Sequence, residues 1–345
     1  MKKVVRQIVG IDVAQDELVV CLGRLQEDFT QECYARKSFA NTPKGFDSLT
    51  DWVARQTQSG TPVRYVMEAT GVYHEPLAYY LEGNGHPVSI ILPNKISNFF
   101  RTLDVKTVTD QTAAEAISLF GLSRTLNDWR RPKAIFKKLR QLTRERNQII
   151  DERTVVKNQM HAEKAEAEPS KSSLARIRKR MDLLNRQEKE IRAELTMVLD
   201  LDQEVKNLVM LICTIPGVGI LTAISVLAET NGFELIRNKR QLTSYAGLDV
   251  REKQSGTSVK GKPKISKRGN KYLRKAMHMP ALAAIRHDDR YKAIFARLVS
   301  KHGIKMKAVV AVQRKLLEMM FTVFKKGSAY DKQYLKLQAE GMEQG

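Results

Sequence analysis

Cysteine is scarce in this sequence, and its spacing excludes two common uses. Only three cysteines occur among 345 residues, at Cys21, Cys33 and Cys213. Their wide spacing does not suit a zinc knuckle, and their odd number does not suit a disulfide framework. Apolar runs long enough to span a bilayer are also lacking, as are the apolar core and cleavage site of a signal peptide. We therefore predict a cytoplasmic protein that stays reduced and has no membrane partner.

Acidic residues are in deficit. The chain has 59 Lys and Arg residues against 38 Asp and Glu residues, which gives a formal net charge of +21. Such an excess repels itself unless a polyanion is nearby, so nucleic acid is the leading partner. An anionic membrane surface is the weaker alternative, because no basic amphipathic helix with an aromatic face is evident.

Residues 1–127 are predicted to form an α/β domain. Three runs of apolar and β-branched residues, at 4–13, 17–22 and 35–39, are separated by short polar turns, which is typical of neighbouring antiparallel strands. Two later strand patterns, at 63–67 and 88–92, alternate with helical spacing. This alternation indicates an α/β layer with some parallel pairing. Hydrophobic residues make up 42% of the whole chain, which is enough for packed cores in two domains.

Residues 128–206 have a different pattern. Between 133 and 205 the chain has no Gly and a single Pro, Pro169. Apolar residues recur at alternating steps of three and four on both sides of Pro169, with Glu188 filling a skipped position and Arg146 and Arg153 interrupting the first series. The pattern predicts two long helices that form either a helical hairpin or a dimeric coiled coil. With it we predict a homo-oligomer, either a dimer or a tetramer.

Residues 207–326 are predicted to be mainly helical with one loop-rich insert, and residues 327–345 to be a polar tail. The segment from Arg251 to Lys275 contains ten basic residues and a single acid. Basic side chains position nucleic acids through phosphate contacts. We predict a nucleic-acid-binding surface made of Lys260, Lys262, Lys264, Lys267, Arg268, Lys271 and Arg274.

Two carboxylates stand where apolar strand patterns end, Asp12 after the first and Glu68 after the second. Strand ends in one sheet can bring such side chains together, and a divalent cation such as Mg²⁺ or Mn²⁺ would offset their repulsion. Two such ions can assist cleavage of a phosphodiester. Alternatively, each acid caps a turn or pairs with Arg or Lys. Asp110 begins a predicted helix, where it suits either an N-cap or a third metal ligand.

Two loops in the second half have the composition of phosphate contacts. Ser255 lies in a Ser–Gly step at the entrance to the basic segment, where its hydroxyl is a candidate nucleophile or part of an ordinary polar loop. The Pro-Gly-Val-Gly turn at 216–219 resembles the hairpin of helix-hairpin-helix modules, in which glycines let backbone N–H groups approach a phosphate. An ordinary tight helix connector explains that turn equally well.

Together these residues resemble the transposases of the insertion-sequence 110 family, also called DEDD transposases or bridge-RNA-guided recombinases. The resemblance covers nearly the whole chain. It is carried by short motifs in the family's order, at 10–14, 68–73, 106–110, 215–219, 245–248, 255–258 and 276–281.

The resemblance implies a resolvase-like RNase H fold for the first domain, a coiled-coil linker, and a helical transposase domain. It implies catalytic, metal-binding acids at Asp12, Glu68 and Asp110, with Mg²⁺ or Mn²⁺ as cofactor, and a nucleophile at Ser255 that forms a phosphoserine link to DNA. Such a link retains the bond energy, so strands can rejoin without a nucleotide cofactor. A structured guide RNA would pair with donor and target DNA, in a protein associated with the bacterial nucleoid.

One position departs from the family. Its fourth acid lies three residues after the third, and here that residue is Ala113. Either three acids are enough for the metal site to work, or Glu115 or Asp104 takes the place of the fourth acid, or the chain is catalytically weakened. Three functions therefore stay open: a DNA recombinase acting through a serine–DNA intermediate, a metal-dependent nuclease resembling a junction resolvase, and a non-catalytic nucleic-acid-binding protein.

Overall fold

The computed structural model describes residues 3–69, 71–103, 105, 107–234, 236–251, 254–255, 259–260 and 264–331, and only the backbone at 254–255 and 259–260. Backbone contacts divide the chain into two compact units, Met1–Arg131 and Pro132–Gly345. The domain boundaries predicted after residues 127, 206 and 326 stay predictions.

Five strands and four helices make up the described part of the first unit. The strands are β1 (Val4–Val13), β2 (Glu17–Gln26), β3 (Gln31–Ala40), β4 (Val63–Glu68) and β5 (Val88–Ile91). The helices are α1 (Pro43–Gln56), α2 (Glu75–Gly83), α3 (Pro93–Phe100) and α4 (Asp110–Ser123).

The five strands form one mixed sheet in the order β3-β2-β1-β4-β5. β2 pairs antiparallel with both β1 and β3, whereas β1, β4 and β5 run parallel to one another. The predicted α/β layer, with neighbouring antiparallel strands and some parallel pairing, is thereby confirmed.

Helices pack on both faces of the sheet. The side chains of each strand point to the two faces in turn. Val9 and Ile11 of β1 pack on one face with Leu49 of α1. Ile8 packs on the other face with Ile117 of α4. By the same alternation, Gly10 and Asp12 face α4.

Gly10 allows α4 to approach the sheet closely. A Cβ atom at Gly10 would lie 2.4 Å from the backbone nitrogen of Ser118 and 2.5 Å from the carbonyl oxygen of Ala114. Any side chain at this position would therefore push the helix backbone away from β1.

Nine helices and four short strands make up the described part of the second unit. The helices are α5 (Ala134–Ala165), α6 (Lys171–Asp200), α7 (Gln203–Cys213), α8 (Ile220–Thr230), α9 (Lys239–Tyr245), α10 (Lys271–Ala276), α11 (His278–His287), α12 (Asp289–His302) and α13 (Lys305–Lys326). The strands are β6 (Val250–Arg251), β7 (Gln254–Ser255), β8 (Val259–Lys260) and β9 (Lys264–Ile265), paired antiparallel as β6 with β9 and β7 with β8.

Helices α5 and α6 form an antiparallel hairpin, one of the two predicted arrangements. Its polar interruptions pair with one another: Glu188 is 6% exposed and accepts hydrogen bonds from Arg146 (2.8 Å), Arg192 (2.9 Å) and Arg153. Burial alone would raise the pKa of Glu188, but hydrogen bonds from the three arginines lower it to about 2. The dimeric coiled coil and the homo-oligomer stay predictions.

The apolar seam of this hairpin continues into the core of the second unit. Leu139 of α5 and Leu199 of α6 belong to the same cluster as Val209, Leu227 and Leu316 of the helices that follow. Among the helices of the described residues, none combines the length and apolar character of a membrane span.

Candidate active site

Asp12 and Glu68 lie side by side near the carboxyl ends of β1 and β4, two neighbouring inner strands of the mixed sheet. β1 and β4 run parallel, and Ile11 is opposite Met67, so the next residue of each strand is the acid. Strand alternation places both acids on the face covered by α4. Both residues are half-buried. The predicted convergence of the two strand-end acids follows from this register.

Asp110 is the first residue of α4 and is exposed. The helix is capped by Thr109, whose hydroxyl accepts a hydrogen bond from the Thr112 backbone N–H at 3.2 Å, while the Thr112 hydroxyl accepts one from the Thr109 backbone N–H at 2.8 Å. Asp110 therefore does not serve as the N-cap.

Asp12 interacts electrostatically with the other two acids. Burial, followed by the negative charges of Asp110 and Glu68, raises the pKa of Asp12 from 3.8 to about 6, against a smaller opposing effect of the Val13 backbone N–H. Asp12 therefore lies close enough to both acids for their negative charges to raise its pKa. The site disfavours a full set of three charges unless a cation accompanies them.

The donor set suits a hard divalent cation in two respects. Carboxylate oxygens are the ligands that Mg²⁺ and Mn²⁺ prefer, and the repulsion on Asp12 is of the kind that a bound cation relieves. The side chains are not, however, arranged as around a bound ion: within the described residues, no three His, Cys, Asp or Glu side chains form a group that could hold a metal as they stand. The three acids thus match a divalent cation in ligand type and in charge, but not in the arrangement of their side chains.

The position of the family's fourth acid is occupied by Ala113, in the first turn of α4. Glu115, one of its two candidate substitutes, forms an ion pair with Arg36 of β3. Its negative charge contributes to raising the pKa of Cys21 in β2. It does not contribute to the raised pKa of Asp12. Asp104, the other candidate, lies outside the described residues.

Asn41 is a site residue that sequence patterns did not predict. Its side-chain amide donates hydrogen bonds to the carbonyl of Ala14 at 2.9 Å and to the carbonyl of Tyr73 at 3.2 Å. It thereby ties the loop that follows Asp12 to the loop that follows Glu68. The local sequence, Asn-Thr-Pro, signals only the start of α1, where Thr42 is the N-cap.

The predicted nucleophile belongs to the second unit. Ser255 is in β7, opposite Val259 of β8. Its side chain and residues 256–258 lie outside the described part of the chain, so the predicted role of its hydroxyl stays a prediction.

The predicted basic surface is described in part. Lys264, Lys267, Arg268 and Lys271 are exposed. Arg274 is half-buried and donates from one nitrogen, Nη1, to the carbonyls of Ala246 at 2.8 Å and Gly269 at 3.2 Å, so it also stabilises the turn before α10. The side chain of Lys260 and all of Lys262 lie outside the described residues.

A buried glutamate anchors this basic segment and was also missed from sequence. Glu229 is 3% exposed and receives two hydrogen bonds from Arg144, at 2.7 and 2.8 Å, and one from the Asn270 amide at 2.6 Å. The side-chain oxygen of Asn270, Oδ1, in turn caps α10 by accepting hydrogen bonds from the backbone N–H groups of Tyr272 and Leu273. The end of the basic segment is therefore held by one buried charge.

The turn before α8 has a packing role. Gly217 has φ of +83°, and a Cβ there would lie 2.6 Å from the carbonyl oxygen of Pro280 in α11. This glycine is thus required by backbone conformation and close packing. Gly219, the N-cap of α8, has open space at its Cβ position, and Ile220 is 51% exposed. Whether this end of α8 meets a phosphate stays a prediction.

Known proteins are similar in sequence to this chain along most of its length. A family model of IS110-type DEDD proteins, described as a transposase, matches residues 9–163, and the model "Transposase IS116/IS110/IS902 family" matches residues 209–296. The pilin gene-inverting protein of Moraxella bovis is 27% identical over 330 residues, which cover 94% of this chain and 97% of that protein. The transposase for insertion sequence element IS1111A of Coxiella burnetii is 31% identical over 157 residues, 43% of this chain and 41% of that protein.

Solved structures resemble a smaller part of the chain. RuvC of T. thermophilus in complex with a Holliday junction substrate matches 36% of this chain and 99% of its own chain, with 10% identity and a TM-score of 0.28.

The two family models match parts of both units and include all the candidate site residues named above, and the chain belongs to the IS110 family of insertion-sequence transposases.

Proposed function

We propose that this chain is a DNA transposase that cuts and rejoins strands with the three carboxylates of its first unit and Ser255 of its second. The observation that carries the proposal is the position of Asp12 beside Glu68, where burial, followed by the charges of Asp110 and Glu68, raises the pKa of Asp12 to about 6. An acid at the end of a sheet strand that is repelled by two further acids, in a member of a transposase family, supports a divalent-metal site. The strand order and directions of the sheet support the RNase H-like fold that the family resemblance implies.

Asp12, Glu68 and Asp110 would hold a divalent cation, Mg²⁺ or Mn²⁺, and that cation would supply charge stabilisation for the oxygens of the scissile phosphate. The Ser255 hydroxyl would attack the phosphorus and lose its proton. The attack forms a serine–phosphate ester and releases a DNA hydroxyl, which takes up a proton. Because one phosphoester replaces another, the step can be reversed to rejoin strands.

The exposed cations at Lys264, Lys267, Arg268 and Lys271 would contact phosphates near Ser255. A guide RNA would pair with the DNA, while the protein binds RNA shape and backbone. The net charge of +21 supports a large polyanionic partner, and such a complex would contain several copies of the chain.

Ala113 favours a second candidate, a nucleic-acid-binding protein with weakened or absent cleavage. It stands in the first turn of α4, three residues after Asp110, and cannot ligate a metal.

A strand-cleavage assay separates the two candidates. The full chain, with its copurifying RNA, is incubated with labelled DNA carrying the element's ends and with Mg²⁺. We expect cleavage that falls at least 100-fold in Asp12→Asn and in Glu68→Gln, while RNA binding changes less than twofold. Loss of RNA binding in these variants would instead assign the acids to folding.

The Ala113→Asp variant is the matched test of the second candidate. If the wild-type chain binds nucleic acid without cutting it and Ala113→Asp cuts, this chain is a weakened member of its family. If neither cuts under conditions where both bind, the transposase proposal is wrong.

A further inference from the structure

Two thiols meet on the face of the sheet that packs against α4. Cys21 of β2 is buried and Cys33 of β3 is half-buried. Cys33 is opposite Gly23, two residues beyond Cys21 and on the same face, with Tyr34 as an extra residue in β3. The two cysteines share a small apolar cluster with Val19 and Ala114, and each side chain shifts the pKa of the other. They are therefore a contacting pair.

The surroundings make the two thiols unequal. The Cys21 side chain lowers the pKa of Cys33, whereas the Cys33 side chain, together with burial, raises the pKa of Cys21. The Ser118 hydroxyl is fully buried and makes no hydrogen bond within the described chain. Its proton can turn to the Cys33 sulfur when that sulfur becomes a thiolate, which further favours ionisation. Cys33, on the edge strand of the sheet, is also the more accessible of the two.

We propose that Cys21 and Cys33 form a redox-active dithiol, which a small disulfide of the glutathione class oxidises to an intramolecular disulfide. The Cys33 thiolate attacks one sulfur of the small disulfide and releases one small thiolate. The Cys21 sulfur then attacks Cys33, loses its proton, and releases the second small thiolate. In balance, two cysteine thiols become one disulfide, and one small disulfide becomes two thiols that carry the two protons.

The new bond would alter the packing of α4. A disulfide holds its sulfurs about 2.05 Å apart, much closer than two thiols in contact. Cys21 packs on Ala114, which lies one turn from Asp110 in α4. Drawing the Cys21 sulfur toward β3 changes that contact, and so the position of Asp110. This consequence rests on the proposed function, whereas the disulfide itself does not.

Peptide mapping tests the disulfide without any activity measurement. The full chain with Cys213→Ala, which removes the third thiol, is treated with oxidised glutathione and digested with trypsin without reduction. Cleavage after Arg24 separates Cys21 from Cys33. We expect the two peptides to be joined, with a mass two hydrogens below their sum and no retained glutathione. A Cys33 that stays fully alkylatable, or holds a stable glutathione adduct, would overturn the proposal.

Variants assign the two roles. Cys21→Ser is expected to stop at a stable glutathione adduct on Cys33, and Cys33→Ser to take up no glutathione at Cys21. Adduct formation at Cys21 in the second variant would reverse the assigned order and contradict it.

Strand cleavage gives the second readout. Oxidation of the Cys213→Ala chain is expected to lower cleavage at least fivefold, with recovery after a dithiol reductant, and to leave a chain that also carries Cys33→Ser unchanged. Full cleavage by the oxidised chain would overturn the link to Asp110. A chain that forms the disulfide but never cleaves DNA would contradict the proposed function and leave the disulfide proposal intact.

Discussion

Asp12 is the residue at which folding and function conflict. Its carboxyl has an ordinary pKa of 3.8 and a pKa of about 6 in the folded chain, because of burial and the charges of Asp110 and Glu68. Between these values the folded chain binds more protons than the unfolded chain. Stability from this group is therefore lost as the pH rises from 3.8 through 6, and Asp12 is destabilising at neutral pH without metal.

Asp12→Asn is accordingly expected to stabilise the chain in the presence of a chelator at pH 7.5. Solvent screening at this half-buried group limits the gain to about 1 kcal/mol, or about 3 °C in the melting temperature. Adding Mg²⁺ should raise the melting temperature of the wild type but not of the variant. Asp16→Asn, an exposed acid just beyond β1, is the control and should change neither value. An Asp12→Asn variant that melts below the wild type in chelator would contradict this assignment.

At the scale of elements, the contact between β1 and α4 brings the third acid to the first two. Gly10 permits that contact, because a Cβ there would meet the backbone of Ser118 and Ala114 at 2.4–2.5 Å. Gly10→Ala should destabilise the first unit by about 2–3 kcal/mol and abolish cleavage. Gly83→Ala, at the end of α2 with open space around its Cβ, should be neutral or stabilise by up to about 1 kcal/mol. Urea unfolding of both variants measures this, and equal effects would refute the close-packing explanation.

The α5–α6 hairpin depends on a buried charge. Glu188→Gln leaves three arginines without their common anion and should cost about 2 kcal/mol at pH 7. The pKa of Glu188 is about 2, below its ordinary 4.5, so its contribution is present above pH 4.5 and lost as the pH falls toward 2. The difference between wild type and variant should therefore vanish in acid. Glu190→Gln, at an exposed acid of the same helix, should stay within about 0.5 kcal/mol at every pH.

Sequence patterns predicted the strands and helices, which depend on residues close to one another in the sequence. Alternating runs gave the strands, and three-and-four spacing gave α5 and α6, with Glu188 as the skipped position that the structure pairs with arginines. Features built from distant partners could not be predicted this way. Asn41 joins two loops 27 and 32 residues away, and Glu229 joins Arg144 to Asn270, 85 and 41 residues away. Only the folded chain brings those groups together.

For the whole molecule, the proposed reaction needs the carboxylates of the first unit and the serine of the second to act on the same phosphodiester. That requirement distinguishes a serine-dependent transposase from a nuclease that uses metal-bound water. A nuclease would leave cleaved DNA without attached protein, whereas a serine nucleophile leaves protein joined to a DNA end.

The most direct measurement is the covalent adduct itself. The full chain with its RNA is incubated with end-labelled DNA and Mg²⁺, denatured, and resolved by electrophoresis, with digestion and mass spectrometry to locate the attached nucleotide. We expect a DNA–Ser255 phosphoester that disappears in Ser255→Ala and, independently, in Asp12→Asn. Cleavage that persists in Ser255→Ala, or an adduct that forms undiminished in Asp12→Asn, would contradict the proposed reaction.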